Sequence, residues 1–207
     1  SPTKANTIRK FLGDGYEVLA SVGHIRDLVE RKSDLPEADP RRVEKWVKYG
    51  VNIDNNFITL EEIYIVPKDK ERQVAALKKA MVGVDRVYLA TDDDREGEAI
   101  SWHLLQVLKP KVEILRLVFH EITREAIQRA LQATRPLNQH LVDAQRTRRV
   151  VDRLYGWDVS ELLWRKIKPG LSAGRVQSVA LRLLVERERE RMRFVSADWA
   201  SVHGAFD

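Results

Sequence analysis

The sequence predicts an α/β domain with a mostly parallel sheet, followed by an all-α segment. Three observations carry that prediction. Strand-like and helix-like pieces alternate from residue 1 to about 120, and such alternation means layered α/β packing. The run "RVYLAT" (residues 86–91) is apolar, β-branched and aromatic, with no polar alternation. That pattern suits a strand covered on both faces, as in a parallel sheet. From about 121 onward, strand signals give way to helical spacing.

Taken in order, "ANTIRKFLG" (5–13) reads as an amphipathic helix ended by Gly13. "YEVLASVG" (16–23) reads as a strand running into a glycine turn. The stretch 27–56 is polar and turn-rich, a long and partly structured excursion. "YIVP" (64–67) is a short strand stopped by Pro67. "DKERQVAALKKAM" (69–81) is a helix with Val74, Leu77 and Met81 on one face. After the strand at 86–91 come the helix "EAISWHLLQVL" (98–108) and the strand "EILRLVF" (113–119). In "ITREAIQRAL" (122–131), Thr123 is placed as an N-cap, and Ile122 and Ile127 are spaced for a hydrophobic staple. The pieces 138–157 and 159–167 are helical, and a long helix follows the break "KPGLSAG" at 175–193. We expect a domain boundary near 120, with domains at 1–120 and 121–207.

Composition narrows the function classes. The chain has 207 residues, 43% of them hydrophobic, which is enough for a real core. No apolar run approaches the roughly 18 residues of a membrane span, so no membrane partner is expected. There is no cysteine, which excludes disulfides and thiolate zinc sites and fits a reducing compartment. A net charge of +5 raises the expectation of a polyanionic partner. The chain opens at Ser1 without an initiating Met and closes on an alternating pattern, "ADWASVHGAFD", that reads as a strand just beginning. A piece of a longer protein is expected.

The densest chemistry is "ATDDDREGE" (90–98), with five carboxylates within seven residues of a basic chain. Asp92, Asp94 and Glu96 stand at i, i+2 and i+4. If the strand stays extended, its period of two points all three the same way. Convergent carboxylates at the C-terminal end of a buried strand make a hard oxygen site suited to Mg²⁺. Gly97 then permits a tight turn into the helix. The spacing also fits a charged loop whose Glu96 and Glu98 stabilise a helix N-terminus.

In the helical half, Gln145, Arg149 and Arg153 recur every four residues and share a face, and Arg148 can pair with Asp152. Leu141, Ala144, Val151 and Leu154 supply an apolar stripe. A guanidinium row with Trp157 beyond it suits a phosphate backbone with stacked bases, and it also suits a solvated charged face. In "SAGRVQS" (172–178), Ser172, Ala173 and Gly174 are small enough to let backbone N–H groups approach a phosphate at a helix start. Arg175 and Gln177 can then reach the strand. The tail "VERERERMR" reads as a solvated face with Glu–Arg pairs at i, i+3, such as Glu186 with Arg189.

These motifs together resemble the type IA DNA topoisomerases. "ATDDDREGEAISWHLLQVL" looks like the acidic motif of their TOPRIM domain, a Rossmann-like fold. "SPTKANTIRKFLG" resembles the segment after that domain's first strand. "SVGHIRDL" matches the next motif, and "GLSAGRVQSVALRLLVERERE" is among the family's most specific signatures. The landmarks keep the family's order from residue 1 to about 195, and they are nearest to its bacterial type I branch.

The resemblance implies an enzyme that cuts single-stranded DNA through a tyrosine, holds the 5′ phosphate and passes a strand through the gap. It implies Mg²⁺ dependence, negatively supercoiled DNA as substrate, a monomer and a cytoplasmic, nucleoid-associated setting. By the same resemblance Asp92 and Asp94 are metal ligands, Glu96 supports the acidic site and Lys4 stabilises charge at the scissile phosphate. His24 would lie in the active-site cavity. DNA contacts would come from Arg148, Arg149, Asp152, Arg153, Trp157, Trp164, Ser172, Ala173, Gly174, Arg175, Val176 and Gln177. Two departures matter. The family's catalytic glutamate would precede Ser1, and no "YMRTDS"-like tyrosine motif occurs, since Tyr16, Tyr49, Tyr64, Tyr88 and Tyr155 all stand in other contexts. This polypeptide alone is therefore expected to be inactive. The competing expectation is a non-catalytic nucleic-acid-binding module whose acidic cluster is structural.

Overall fold

The computed structural model describes residues 1–43, 49–53 and 60–205. The described residues include six α-helices, α1 (Pro2–Leu12), α2 (Lys68–Ala80), α3 (Arg95–Leu108), α4 (Arg124–Gln132), α5 (Gln139–Lys166) and α6 (Arg175–Arg193). Six short strands are described, β1 (Asp27–Leu28), β2 (Val51–Ile53), β3 (Leu60–Glu62), β4 (Tyr64–Ile65), β5 (Arg86–Leu89) and β6 (Glu113–Arg116). The α/β layering followed by helices is as expected. Among the described residues parallel pairing is confined to β5 and β6, with Val87 opposite Ile114, whereas β1–β4 and β2–β3 are antiparallel.

The chain divides into two compact units, 1–153 and 154–207. In the first, the main core gathers Ile25, Val74, Leu89 and Leu104, with Leu77, Val87, Ile100 and Ile114 packed against them. The periodic faces of α2 and α3 thus cover β5 and β6. A second cluster joins Val29 and Leu35 of the polar excursion to Ile63 just beyond it. Isolated apolar residues among charged neighbours give no periodicity, so this small core left no pattern in the sequence. Part of the excursion lies outside the described residues.

Two expected strands are not found. Residues 16–23 form no strand because side chains take their carbonyls. Gln73 donates to Ala20 at 2.5 Å, Lys70 to Val22 at 3.2 Å, and Arg9 donates to Val18. With those acceptors occupied, the segment has no strand partner among the described residues. Residues 195–205 are likewise not in a strand, and Trp199 and Val202 are exposed.

Helix ends follow local chemistry. Thr123 caps α4, its hydroxyl accepting from the Ala126 N–H at 3.2 Å. In the second unit, the loop before α6 is tied to the C-terminal half of α5. The Ala173 N–H donates to Ser160 Oγ at 3.0 Å, and Trp164 Nε1 donates to the Leu171 carbonyl at 2.5 Å. α6 buries none of its residues, leaving Val176, Val179, Leu183 and Leu184 exposed. Its tail carries Glu–Arg pairs, although Glu186 pairs with Arg182 rather than Arg189.

Candidate active site

The acidic loop joins β5 to α3. Asp94 has extended backbone and caps α3, its Oδ1 accepting from the Gly97 N–H at 2.7 Å. Thr91 Oγ1 donates to the Gly97 carbonyl at 2.6 Å and pairs with Ser101 Oγ at 2.8 Å. These bonds wind the chain into helix at Arg95, one residue before Glu96. The expectation that Asp92, Asp94 and Glu96 share one extended face is therefore corrected, because capping ends the strand geometry too early. Gly97 is also explained differently. It lies inside the first turn of α3, and a Cβ there would stand 2.0 Å from the Asp92 carbonyl oxygen. Glycine is needed for clearance, not for a positive φ.

The three carboxylates consequently meet different partners. Asp92 Oδ1 accepts from Lys4 Nζ at 2.6 Å, and both side chains are substantially exposed. Asp94 keeps one oxygen clear of its capping bond. Glu96 Oε2 lies 3.3 Å from His24 Nε2 and accepts from Gln145 Nε2 at 3.3 Å. Among the described residues no group of three His, Cys, Asp or Glu side chains is gathered for a metal. Two hard carboxylates completed by water nonetheless fit Mg²⁺, which takes few protein ligands and retains several waters. Lys4, Asp92, Asp94 and Glu96 all line one groove of about 1170 Å³.

Glu96 also borders a second cavity of about 330 Å³, shared with His24, Arg148, Arg149 and Asp152. His103 forms part of its wall and is 2% exposed. Burial, then the neighbouring Arg26 and His24, push its imidazole down to about 3, so it is neutral. Its ring meets Tyr64 and Trp102 edge-on, with centroids 4.7 Å away in each case. Arg26 stacks over Tyr64 at 4.9 Å and over Trp102 at 5.5 Å. His103 Nδ1 and Gln145 Oε1 are buried with no hydrogen-bond partner among the described residues. Nothing in the sequence distinguishes His103 from an ordinary helix residue, and only the cavity reveals it.

The arginine face of α5 is a further correction. Gln145 and Arg153 are 6% and 7% exposed, while Val151 of the expected apolar stripe is 46% exposed. The polar row turns inward because β1 meets it with charge. Arg149 grips Asp27 through both carboxylate oxygens at 2.6 Å. Arg153 lies 3.8 Å from Asp27 and 3.7 Å from Glu30, and donates to the Leu28 carbonyl at 3.4 Å. Burial holds the Arg153 guanidinium below its usual range. Arg153 is thus no open contact for DNA. The Arg148–Asp152 pair forms as expected at 3.6 Å.

In the second unit, Trp157 is half-buried and Trp164 is 38% exposed, not a core residue. Gly174 is the N-cap of α6 and offers no side-chain cap. Gln177 Nε2 donates to Ser172 Oγ at 3.4 Å. Of the backbone donors expected to face a phosphate, that of Ala173 is already taken by Ser160. Arg175 and Val176 are exposed at the helix start.

Known proteins are similar to this chain in sequence and in fold. The Toprim domain family matches residues 1–122, and a DNA topoisomerase family matches 136–207. DNA topoisomerase 1 of Streptomyces coelicolor is 54% identical across all of this chain and 21% of its own length. That of Synechococcus elongatus is 58% identical over 94% of this chain and 21% of its own. The structure of full-length topoisomerase I from Thermotoga maritima superposes with a TM-score of 0.72 at 42% identity, covering 94% of this chain and 30% of that one. The chain spans about a fifth of the length of the curated relatives it matches. The match places the chain with them as far as it extends: the chain belongs to the Toprim domain family, matched over residues 1–122, and residues 136–207 are similar to a DNA topoisomerase family.

Proposed function

We propose that this chain is part of a type IA DNA topoisomerase that relaxes negatively supercoiled DNA. The reaction is transient cleavage of one strand through a 5′-phosphotyrosine, followed by strand passage and resealing. The observation that carries this reading is the Lys4–Asp92 contact at 2.6 Å on the wall of an open groove. It sets a cation for phosphate beside a carboxylate for metal. Asp92 and Asp94 would hold Mg²⁺, which when bound supplies charge to organise the scissile phosphate. Lys4 stabilises charge on the transferring phosphoryl group. Glu96, tied to His24 and Gln145, supports the acidic side of the site.

Single-stranded DNA is held by Arg148, Arg149, Asp152 and His24 of the first unit. In the second unit Trp157, Trp164, Ser172, Ala173, Gly174, Arg175, Val176 and Gln177 serve it. The absence of a side-chain cap on α6 supports the phosphate reading of its start. The boundary between the TOPRIM domain and the helical strand-holding domain is read near residue 120, the latter running on to 207. The parent protein acts as a cytoplasmic, nucleoid-associated monomer. The polypeptide of 207 residues alone does not cleave DNA, because the five tyrosines it holds lack the nucleophile's context.

Asp94 capping α3 favours a second reading, in which the acidic cluster is structural and the chain only binds nucleic acid. One experiment separates the two. Asp92→Ala with Asp94→Ala in the full-length parent is assayed for relaxation across a Mg²⁺ titration and for single-strand binding. Lost relaxation with retained binding supports the catalytic reading. Unchanged relaxation sinks it.

A further inference from the structure

Behind the acidic loop lies an ion pair removed from water. Arg116 on β6 is 1% exposed and Glu98 on α3 is 0% exposed. Removing two charges from water costs so much that such a pair rarely repays itself in cohesion. What this pair holds suggests why it is there. Arg116 Nε donates to Glu98 Oε1 at 2.8 Å. Its Nη1 donates to the carbonyls of Leu89 and Leu117 at 2.8 and 2.9 Å, and its Nη2 donates to the carbonyl of Asp92 at 2.6 Å. One guanidinium therefore joins the ends of both parallel strands to the backbone of the acidic loop.

Glu98 is fixed in turn. Its Oε1 also accepts from Arg135 at 2.5 Å, and its Oε2 accepts from the Asn138 N–H at 3.0 Å. Arg135 reaches Asp93 as well, at 3.0 Å. The Asp92 carbonyl that Arg116 holds is the same atom for which Gly97 leaves room.

We propose that Arg116, oriented by Glu98, is a positioning residue: it fixes the Asp92 carbonyl and so sets where the Asp92 and Asp94 carboxylates stand toward a divalent cation. This rests on the metal reading given above. Lysine cannot take the role, since an ammonium on a flexible stem lacks the planar fork that reaches three carbonyls and a carboxylate together.

The test uses the full-length parent protein and Mn²⁺ as probe, with binding followed by electron paramagnetic resonance. Wild type, Arg116→Lys, Glu98→Gln and a destabilised control, Ile127→Ala in α4, are compared. Arg116→Lys and Glu98→Gln should each weaken Mn²⁺ binding at least about fivefold. They should raise the Mg²⁺ needed for half-maximal relaxation by the same factor, with the rate recovered at high Mg²⁺. Ile127→Ala should lower the melting temperature and leave both metal readings unchanged. Should Arg116→Lys not fold, Glu98→Gln carries the test, because it preserves shape and acceptor oxygen. Unaltered Mn²⁺ affinity in the folded variants overturns the proposal and leaves the pair as scaffold only. Failure of the wild type to bind Mn²⁺ removes the metal reading itself, and this inference with it.

Discussion

Gly97 and Asp92 stand so close that a Cβ on Gly97 would lie 2.0 Å from the Asp92 carbonyl oxygen and 2.8 Å from the Asp92 carbonyl carbon and nitrogen. All three atoms are backbone, so no side chain can swing aside. Gly97→Ala must therefore displace the loop or the first turn of α3. A loss of about 1–3 kcal/mol in unfolding free energy is expected, as for an overpacked core. Metal-dependent relaxation by the full-length parent should fall more than about tenfold, because the atoms displaced belong to a proposed ligand. Denaturant titration and a relaxation assay read the two effects. A variant as stable and active as wild type would show that the close approach is not required.

His103 makes stability depend on pH. Its folded-state pKa is depressed from 6.5 to about 3 by burial. The unfolded chain therefore binds a proton near pH 6.5 while the folded one stays neutral. The stabilisation is complete above 6.5 and is lost as pH falls toward 3. At pH 5 the loss from this group is about 2 kcal/mol. Urea denaturation at pH 7 and pH 5 should show it, and His103→Phe should abolish the His103 share of the difference. An unchanged pH dependence in that variant would mean that the imidazole titrates normally.

Much of this fold could be read from the sequence, and the failures share a cause. α2, α3, α4 and β5 were legible because each carries its own periodicity or cap, as with Thr123 before α4. Residues 16–23 look like a strand by composition, but Gln73 and Lys70 of a helix about fifty residues later take their carbonyls. No local pattern records that competition. The arginine row of α5 was legible as a face, yet its direction depended on Asp27 and Glu30, more than a hundred residues away. The site divides in the same way. The spacing marked Asp92, Asp94 and Glu96, while the capping bond that separates Glu96 from the others, and the burial of His103, appear only in three dimensions.

Arg148 and Arg153 should respond differently to salt. The Arg148 side chain is 33% exposed, whereas that of Arg153 is 6% exposed and faces Asp27 and Glu30. Each phosphate contact on single-stranded DNA contributes about 0.7 to the slope of log affinity against log salt. Arg148→Met should reduce the slope by about that amount. Arg153→Met should leave it unchanged and instead lower stability, since it removes the buried guanidinium that donates to the Leu28 carbonyl and so loosens β1. Fluorescence anisotropy with an oligonucleotide at several salt concentrations measures both. A reduced slope for Arg153→Met in a stable protein would mean that this guanidinium turns outward to meet DNA.

Lys4 offers the cleanest separation of function from stability. Its pair with Asp92 is exposed, at 48% and 69% for the two side chains. Such pairs contribute about 0–1 kcal/mol, because water screens them and two long side chains must be ordered. Lys4→Met should therefore move the unfolding free energy by less than about 1 kcal/mol. If Lys4 instead stabilises charge on the transferring phosphoryl group, its removal costs far more in rate. A fixed cation or donor at developing charge is worth about a hundredfold or more. Relaxation by the full-length parent should fall by about that factor, while single-strand binding, spread over many contacts, should weaken by no more than about threefold. Lys4→Arg should restore part of the rate, since charge is retained with altered reach. Relaxation within twofold of wild type for Lys4→Met would leave the Lys4–Asp92 contact as an ordinary surface pair and remove the observation on which the phosphoryl-transfer reading rests.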